Sequence, residues 1–189
     1  TEAEILGALN EGQRLFCFLT LAIEDTLTLP VGSAFEYDMP NGSGVSSWTV
    51  CLSVTRADGF RLRPSRLQDF AALRKDWQNW VGTPERYATL GFGALFLAPH
   101  GADTLSVRYA RGPVPMVIGG QAPEIPEEYH PNLISYALPR IRCFKEGAQQ
   151  LSRVANDLDD FLGACQQYAA FMRQRSLDQR YDRTPFELT

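Results

Sequence analysis

The sequence predicts an α+β fold: an antiparallel helical bundle built from the N- and C-terminal helices, a small antiparallel β-lobe inserted between them, and an extended C-terminal tail. Three observations carry this. Apolar residues recur at helical spacing at both ends of the chain. The middle is cut into short alternating or β-branched runs separated by turn signals. The last stretch, "LDQRYDRTPFELT", loses all periodicity and contains a proline.

Residues 1–29 read as one helix. Ile5, Leu9, Phe16, Leu19 and Ile23 recur near spacings of three, four and seven, Leu15, Phe18 and Ala22 widen the stripe, and Leu29–Pro30 is a stop. Gly7 and Gly12 weaken the helix locally.

Residues 30–120 read as the β-rich lobe with one short helix. "SAFEYDM" alternates, "PNGSG" is a turn, "SWTVCLSVT" is rich in β-branched residues, and "RADG" ends it with an Asp-Gly turn. "GALFLAP" and "TLSVRYA", joined by "HGAD", form a candidate hairpin. Between these strands, Leu67, Phe70, Leu73 and Trp77 keep a helical period, with Ser65 as N-cap and Gly82 as stop.

Residues 121–176 return to helix. "APEIPEEYHP" places His130 at or before the N-cap and Pro131 in the first turn, and Gly147 ends this helix. Pro139 lies inside it and is expected to kink it. The last helix, from about 149 to 176, carries Leu151, Val154, Leu158, Phe161, Leu162, Cys165, Tyr168 and Met172 on one face. None of these helices can bury its stripe alone, so they are expected to pack together.

Composition bounds the function. The chain has 189 residues, 44% of them hydrophobic, with 18 Lys and Arg against 22 Asp and Glu, a net charge of −4. One domain with an inserted lobe fits that length. An acidic balance argues against a protein that grips phosphate backbones. No run is long and apolar enough for a transmembrane helix, and "TEAEILGALNEGQ" carries acids where a signal peptide carries basic residues, so synthesis in a reducing cytoplasm is expected. Cys17, Cys51, Cys143 and Cys165 lack metal-ligand spacing and read as buried small hydrophobes; a zinc site made with His100 and His130 would need chance convergence.

The sequence carries few marks of catalytic chemistry. "GSGVSSW" lacks the second glycine of a nucleophile elbow, and "GFGALF" lacks the third glycine of a dinucleotide loop. The acids of "EIPEEYH" and "NDLDDF" read as a helix start and a wet helix face rather than catalytic pairs. His100 reads as an exposed loop residue, and "NGS" at Asn41 as a turn. Trp48, Trp77, Trp80, Tyr87 and Phe92 give the lobe a heavy aromatic load, which serves core packing, an interface, or a platform for sugars or bases.

Three stretches together carry a resemblance: "LNEGQRLFCFLTLAIE", then "LRPSRLQDFAALRKDWQNWVGTPERYATLGFGALFLAPHG", then "EIPEEYHPNLISYALPRIRCFKEGAQQ". In this order they resemble the bacteriophage adaptor, or head-to-tail connector, family, related in architecture to the tail-tubular ring proteins of short-tailed phages. "GTPERYATLG" followed by a "LAP" strand end, and "IPEEYHPNLISYAL", are the most telling, and Pro139 is a departure. The resemblance implies a structural, non-enzymatic virion protein without cofactor or metal. It implies a homo-oligomeric ring, usually of twelve copies, at the head–tail junction beneath the portal protein. That ring would extend the channel through which DNA passes and present a platform to a downstream tail or nozzle protein. It also implies that the helical bundle faces the portal, that the lobe contributes ring contacts, and that the C-terminal segment docks on the portal.

Residues 177–189 fit that docking role. Pro185 favours extended backbone, Tyr181, Phe186 and Leu188 are apolar anchors with nothing nearby in sequence to cover them, and Arg175, Arg180 and Arg183 can fork onto carboxylates of a partner. Such a segment folds on binding. The rival reading is a carbohydrate- or nucleic-acid-binding module that uses the aromatic lobe.

Overall fold

The computed structural model describes residues 1–39, 48–91, 93–146 and 151–181, with side chains described over 1–39, 48–91, 93–142 and 155–174. The fold is mixed α+β, with four α-helices and two largely antiparallel sheets among the described residues. The chain divides into two compact units, residues 1–22 with 115–189, and residues 23–114.

In the first unit, α1 (Glu2–Thr20), α3 (His130–Glu146) and α4 (Leu151–Tyr181) pack on one another. The first helix ends nine residues before the expected Leu29. Leu21 turns left-handed at φ 56°, its N–H donates to Cys17 O at 2.8 Å, and the Thr20 hydroxyl donates to Phe16 O at 2.7 Å. Residues Glu24–Val31 then form strand β1. There Leu27, Leu29 and Val31 alternate with exposed Thr26, Thr28 and Pro30, so a period of two overrides the helical reading of Ile23.

The packed face of α1 also differs from the expected stripe. It consists of Ala8, Gly12, Gln13, Phe16, Cys17 and Thr20, while Ile5 and Leu19 are exposed. The cause is close approach: Gly12 lies under the Tyr136 ring, where a Cβ would sit 2.8 Å from Cδ1. Phe16 is fully buried against Tyr129, Phe161 and Tyr168, at ring-centroid distances of 5.4, 6.4 and 5.5 Å. Leu133 and Ala137 of α3, and Ala164 and Cys165 of α4, complete the buried set. Outside this core, Arg140 Nε donates to the Glu11 carboxylate at 3.0 Å and helps hold its pKa below the usual value. The third helix continues through Pro139, which is buried, and a 3-10 turn over Glu127–Tyr129 leads into it.

The final helix runs to Tyr181 rather than Ser176, so residues 177–181 are helical and not extended tail. Leu, Gln and Arg are good helix formers, and no breaker precedes Pro185.

In the second unit, β1, β7 (Asp103–Arg111) and β3 (Trp48–Arg56) form a three-stranded antiparallel sheet in the order β1-β7-β3. A second sheet has the order β2-β6-β5-β4, from Glu36–Asp38, Ala94–Ala98, Arg86–Leu90 and Arg63–Pro64. Its β4–β5 pair is parallel. Val54, Leu105, Val107 and Tyr109 of the first sheet pack with Tyr87, Leu95 and Leu97 of the second to form the inter-sheet core. On the other face of the second sheet, Ala88, Phe96 and Ala98 meet Phe70 of α2 (Leu67–Leu73), with Phe35, Trp77 and Trp80 around them. Strand β6 is thus buried on both faces, which explains why "ALFLA" reads as a continuous apolar run.

The expected hairpin between "GALFLAP" and "TLSVRYA" does not form, because β6 and β7 belong to different sheets. The "HGAD" segment is held by another part of the chain. His100 N donates to Trp80 O at 3.0 Å, and Gly82 N donates to His100 O at 2.9 Å. The fit is tight: a Cβ on Gly101 would lie 2.5 Å from Gly82 O. The short helix α2 is capped at Arg66 rather than Ser65. The Asp69 carboxylate accepts from Arg66 N at 2.8 Å, and the helix ends at Leu73 before a 3-10 turn over Trp77–Asn79.

Candidate interaction surfaces

The aromatic load of the lobe is absorbed in packing. Trp48 is buried and stacks on Tyr109 at 4.9 Å between centroids. Tyr87 is buried in the inter-sheet core, against which half-buried Cys51 also packs. Trp77 lies 5.4 Å from Phe35 and 5.2 Å from Phe70, and Arg74 covers Trp80 at 5.8 Å. Phe92 lies outside the described residues. Trp48 and Tyr87 are buried in the inter-sheet core, and Trp77 and Trp80 pack half-buried against the second cluster.

His100 is buried, contrary to the exposed loop position expected of it. Its Nε2 lies 3.0 Å from Gln78 O, and a carbonyl can only accept, so Nε2 carries the hydrogen. Its backbone ties to Trp80 and Gly82 explain the burial, and periodicity gave no sign of them. His130 is likewise turned to backbone, 2.9 Å from Ile125 O. Both rings act as local fasteners of chain segments.

Cys17 and Cys165 belong to the helical unit and Cys51 to the lobe, all as free thiols. Burial pushes the thiols of Cys51 and Cys165 up to about 11. Among the described residues no group of three or more His, Cys, Asp or Glu converges on a metal position. Of the acidic stretches, Glu127 and Glu128 stand exposed before α3, Asp157 lies 3.7 Å from Arg142, and Asp159 and Asp160 are exposed on α4. A shallow groove bordered by Ser33, Phe35, Glu36, Gln78, Val81 and His100 opens on the lobe.

Of the residues assigned to docking by the sequence, Arg175, Arg180 and Tyr181 lie on the final turns of α4. Arg183, Pro185, Phe186 and Leu188 lie outside the described residues. Sequence reasoning passed over the exposed apolar side chains of the folded units. Val117 and Ile118 stand at the tip of a turn closed by Gly120 N to Val117 O at 2.9 Å, with Gly119 at φ 70°. Ile134 and Leu138 are exposed one turn apart on α3, and Val81 and Leu90 are exposed on the lobe. Single exposed apolar residues are ordinary, and only their place at turn tips and on one helix face singles them out.

The fold is a helical unit interrupted by a lobe of two packed sheets, with charged and apolar side chains exposed on both units. The sequence model of the SU10 adaptor protein family matches residues 1–189, and the chain belongs to that family of phage head–tail adaptor proteins. A comparison with curated proteins finds no significant match. The family is structural and places the chain in the virion, and no helix among the described residues is long and apolar enough to cross a membrane.

Proposed function

We propose that this chain is the subunit of an adaptor ring, usually of twelve copies, that sits beneath the portal protein, extends the DNA channel and receives the next tail or nozzle component. The observation that carries this reading is the family match over the whole chain.

Two further features support it. The helical unit holds 13 acids against 9 bases, and so carries the whole net charge of −4, while the lobe is neutral. A conduit through which DNA slides is served by low positive charge, because grip on DNA comes from neutralising phosphates. The end of the chain supplies the docking element: Arg175, Arg180 and Arg183 for carboxylates of the portal, Tyr181, Phe186 and Leu188 as anchors, and Pro185, a residue that disfavours helix. Each anchor contributes about 1.5–3 kcal/mol by apolar transfer before the cost of ordering. Repetition around a ring converts a small surplus per copy into firm docking.

Co-sedimentation with isolated portal tests the reading. The full chain is expected to pellet with the portal, and a chain ending at Ser176 to remain in the supernatant with its melting temperature nearly unchanged. Undiminished portal binding of the truncated chain would remove the docking role from this segment.

A further inference from the structure

The second sheet of the lobe carries an uncompensated charge difference from one edge to the other. Edge strand β2 presents exposed Glu36 and Asp38. The opposite edge presents exposed Arg63 on β4 beside Arg86 on β5, flanked by exposed Arg61 and Arg66. The register places the charges on one face. Glu36 pairs with Phe96, Phe96 with Ala88, Ala98 with Arg86, and Arg86 with Arg63. Residues opposite one another in a ladder share a face, so Glu36, Asp38, Arg86 and Arg63 all point to the side covered by α2. Arg61 joins them by alternation, since Leu62 between it and Arg63 is buried on the core side. Three interstrand spacings, about 14 Å, separate the two edges.

These arginines differ from the others in the lobe. Arg56, Arg74, Arg108 and Arg111 all have carboxylate partners. Arg61, Arg63, Arg66 and Arg86 form no ion pair among the described residues, and neither do Glu36 and Asp38. Pro64 offers no N–H on β4, so what that edge provides is guanidinium groups rather than a strand template. At the other edge, Glu36 stands on the rim of the groove beside Phe35 and Gln78, which leaves room for a long side chain.

We infer that the two edges are the two halves of one contact between neighbouring copies of this chain: the β4–β5 arginines of one copy meet Glu36 and Asp38 of the next. The patches are different and complementary, which is the requirement of a head-to-tail contact that can close into a ring. This rests on the ring reading and assigns its charge-bearing surface. A phosphodiester backbone would also suit four arginines, but it leaves the acidic edge without a role; the second copy uses both.

Charge reversal tests the inference, read as the number of copies bound per portal ring by mass photometry. E36R/D38R alone and R63E/R86E alone each put like charges across the contact and are expected to weaken neighbour association about tenfold or more. R63Q/R86Q removes the attraction without repulsion and is expected to weaken it less. The fourfold variant E36R/D38R/R63E/R86E exchanges the signs of the two edges and is expected to restore assembly. Complete rings from either single-edge reversal would overturn the inference while leaving the ring itself standing. Failure of the fourfold variant to recover would also overturn it. Loss of binding to a short DNA duplex in R63E/R86E, with ring assembly intact, would assign the arginines to phosphate. Wild-type protein that binds the portal only as isolated copies would overturn both this inference and the ring.

Discussion

Asn10 and Met116 are joined by two hydrogen bonds across 106 residues of sequence: Asn10 Nδ2 donates to Met116 O at 3.0 Å, and Met116 N donates to Asn10 Oδ1 at 2.7 Å. One side-chain amide thus satisfies both backbone groups of a residue in the segment that follows the lobe, and ties that segment to α1. The turn bearing Val117 and Ile118 begins one residue later. Asn10→Ala leaves a part-buried N–H and C=O without these partners and is expected to destabilise the helical unit by about 1–3 kcal/mol. Asn10→Asp keeps the acceptor and loses the donor, and is expected to fall between the two. Urea unfolding followed by far-UV circular dichroism measures this, and an unchanged midpoint for Asn10→Ala would remove the clamp from the account.

Three glycines separate space from conformation. A Cβ on Gly7 meets nothing within 4 Å, so Gly7→Ala is expected to stabilise the first helix by about 0.5–1 kcal/mol. Gly12→Ala drives a methyl into the Tyr136 ring, and Gly101→Ala drives one into the Gly82 backbone oxygen. Each is expected to cost about 1–3 kcal/mol, with Gly101 the worse because backbone yields less than a side chain. Thermal melts should show the first variant above the wild type and the other two below it.

Half-buried Cys51 and buried Cys165 give a pH dependence with a definite sign. Cys51 and Cys165 titrate from an ordinary 9.0 up to about 11 in the folded chain, because burial disfavours the thiolate. Unfolding therefore releases protons at any pH between those values. Stability is unaffected by these groups below pH 9 and is expected to fall as pH rises from 9 toward 11. Tyr87, pushed up to about 12 first by burial and then by Cys51, extends the loss above pH 10. Denaturant midpoints taken at neutral pH and at successive alkaline values check the slope. Cys165 is buried, and its thiol is expected to resist a maleimide in the native chain and react on unfolding; rapid native labelling of Cys165 would contradict it.

The legibility of this fold followed the range of the interactions that set it. Strands with strong local patterns, such as "SWTVCLSVT" and "TLSVRYA", stood out, as did the start and end of α3. The Asp-Gly turn stood out as well: Gly59 takes φ 85° and its N–H donates to Arg56 O at 3.0 Å. What failed was set at a distance. Leu21 ends α1 in a backbone region that leucine seldom adopts, and no residue type announces that. The small-residue face of α1 is selected by Tyr136, more than a hundred residues away. The burial of His100 and the separation of β6 from β7 depend on the fit of Gly101 against Gly82. The charged edges of the second sheet were invisible for the same reason. Glu36 and Arg63 lie 27 residues apart in sequence, and only the strand order reveals that they mark opposite ends of one face.

The central claim is that copies of this chain close into a ring on the portal. Electron microscopy of purified portal, alone and after incubation with the purified chain, tests it most directly. An added ring of density is expected on one end of the portal, with copies arranged symmetrically around an open channel. Isolated or irregularly placed copies, or a portal unchanged by the incubation, would contradict it.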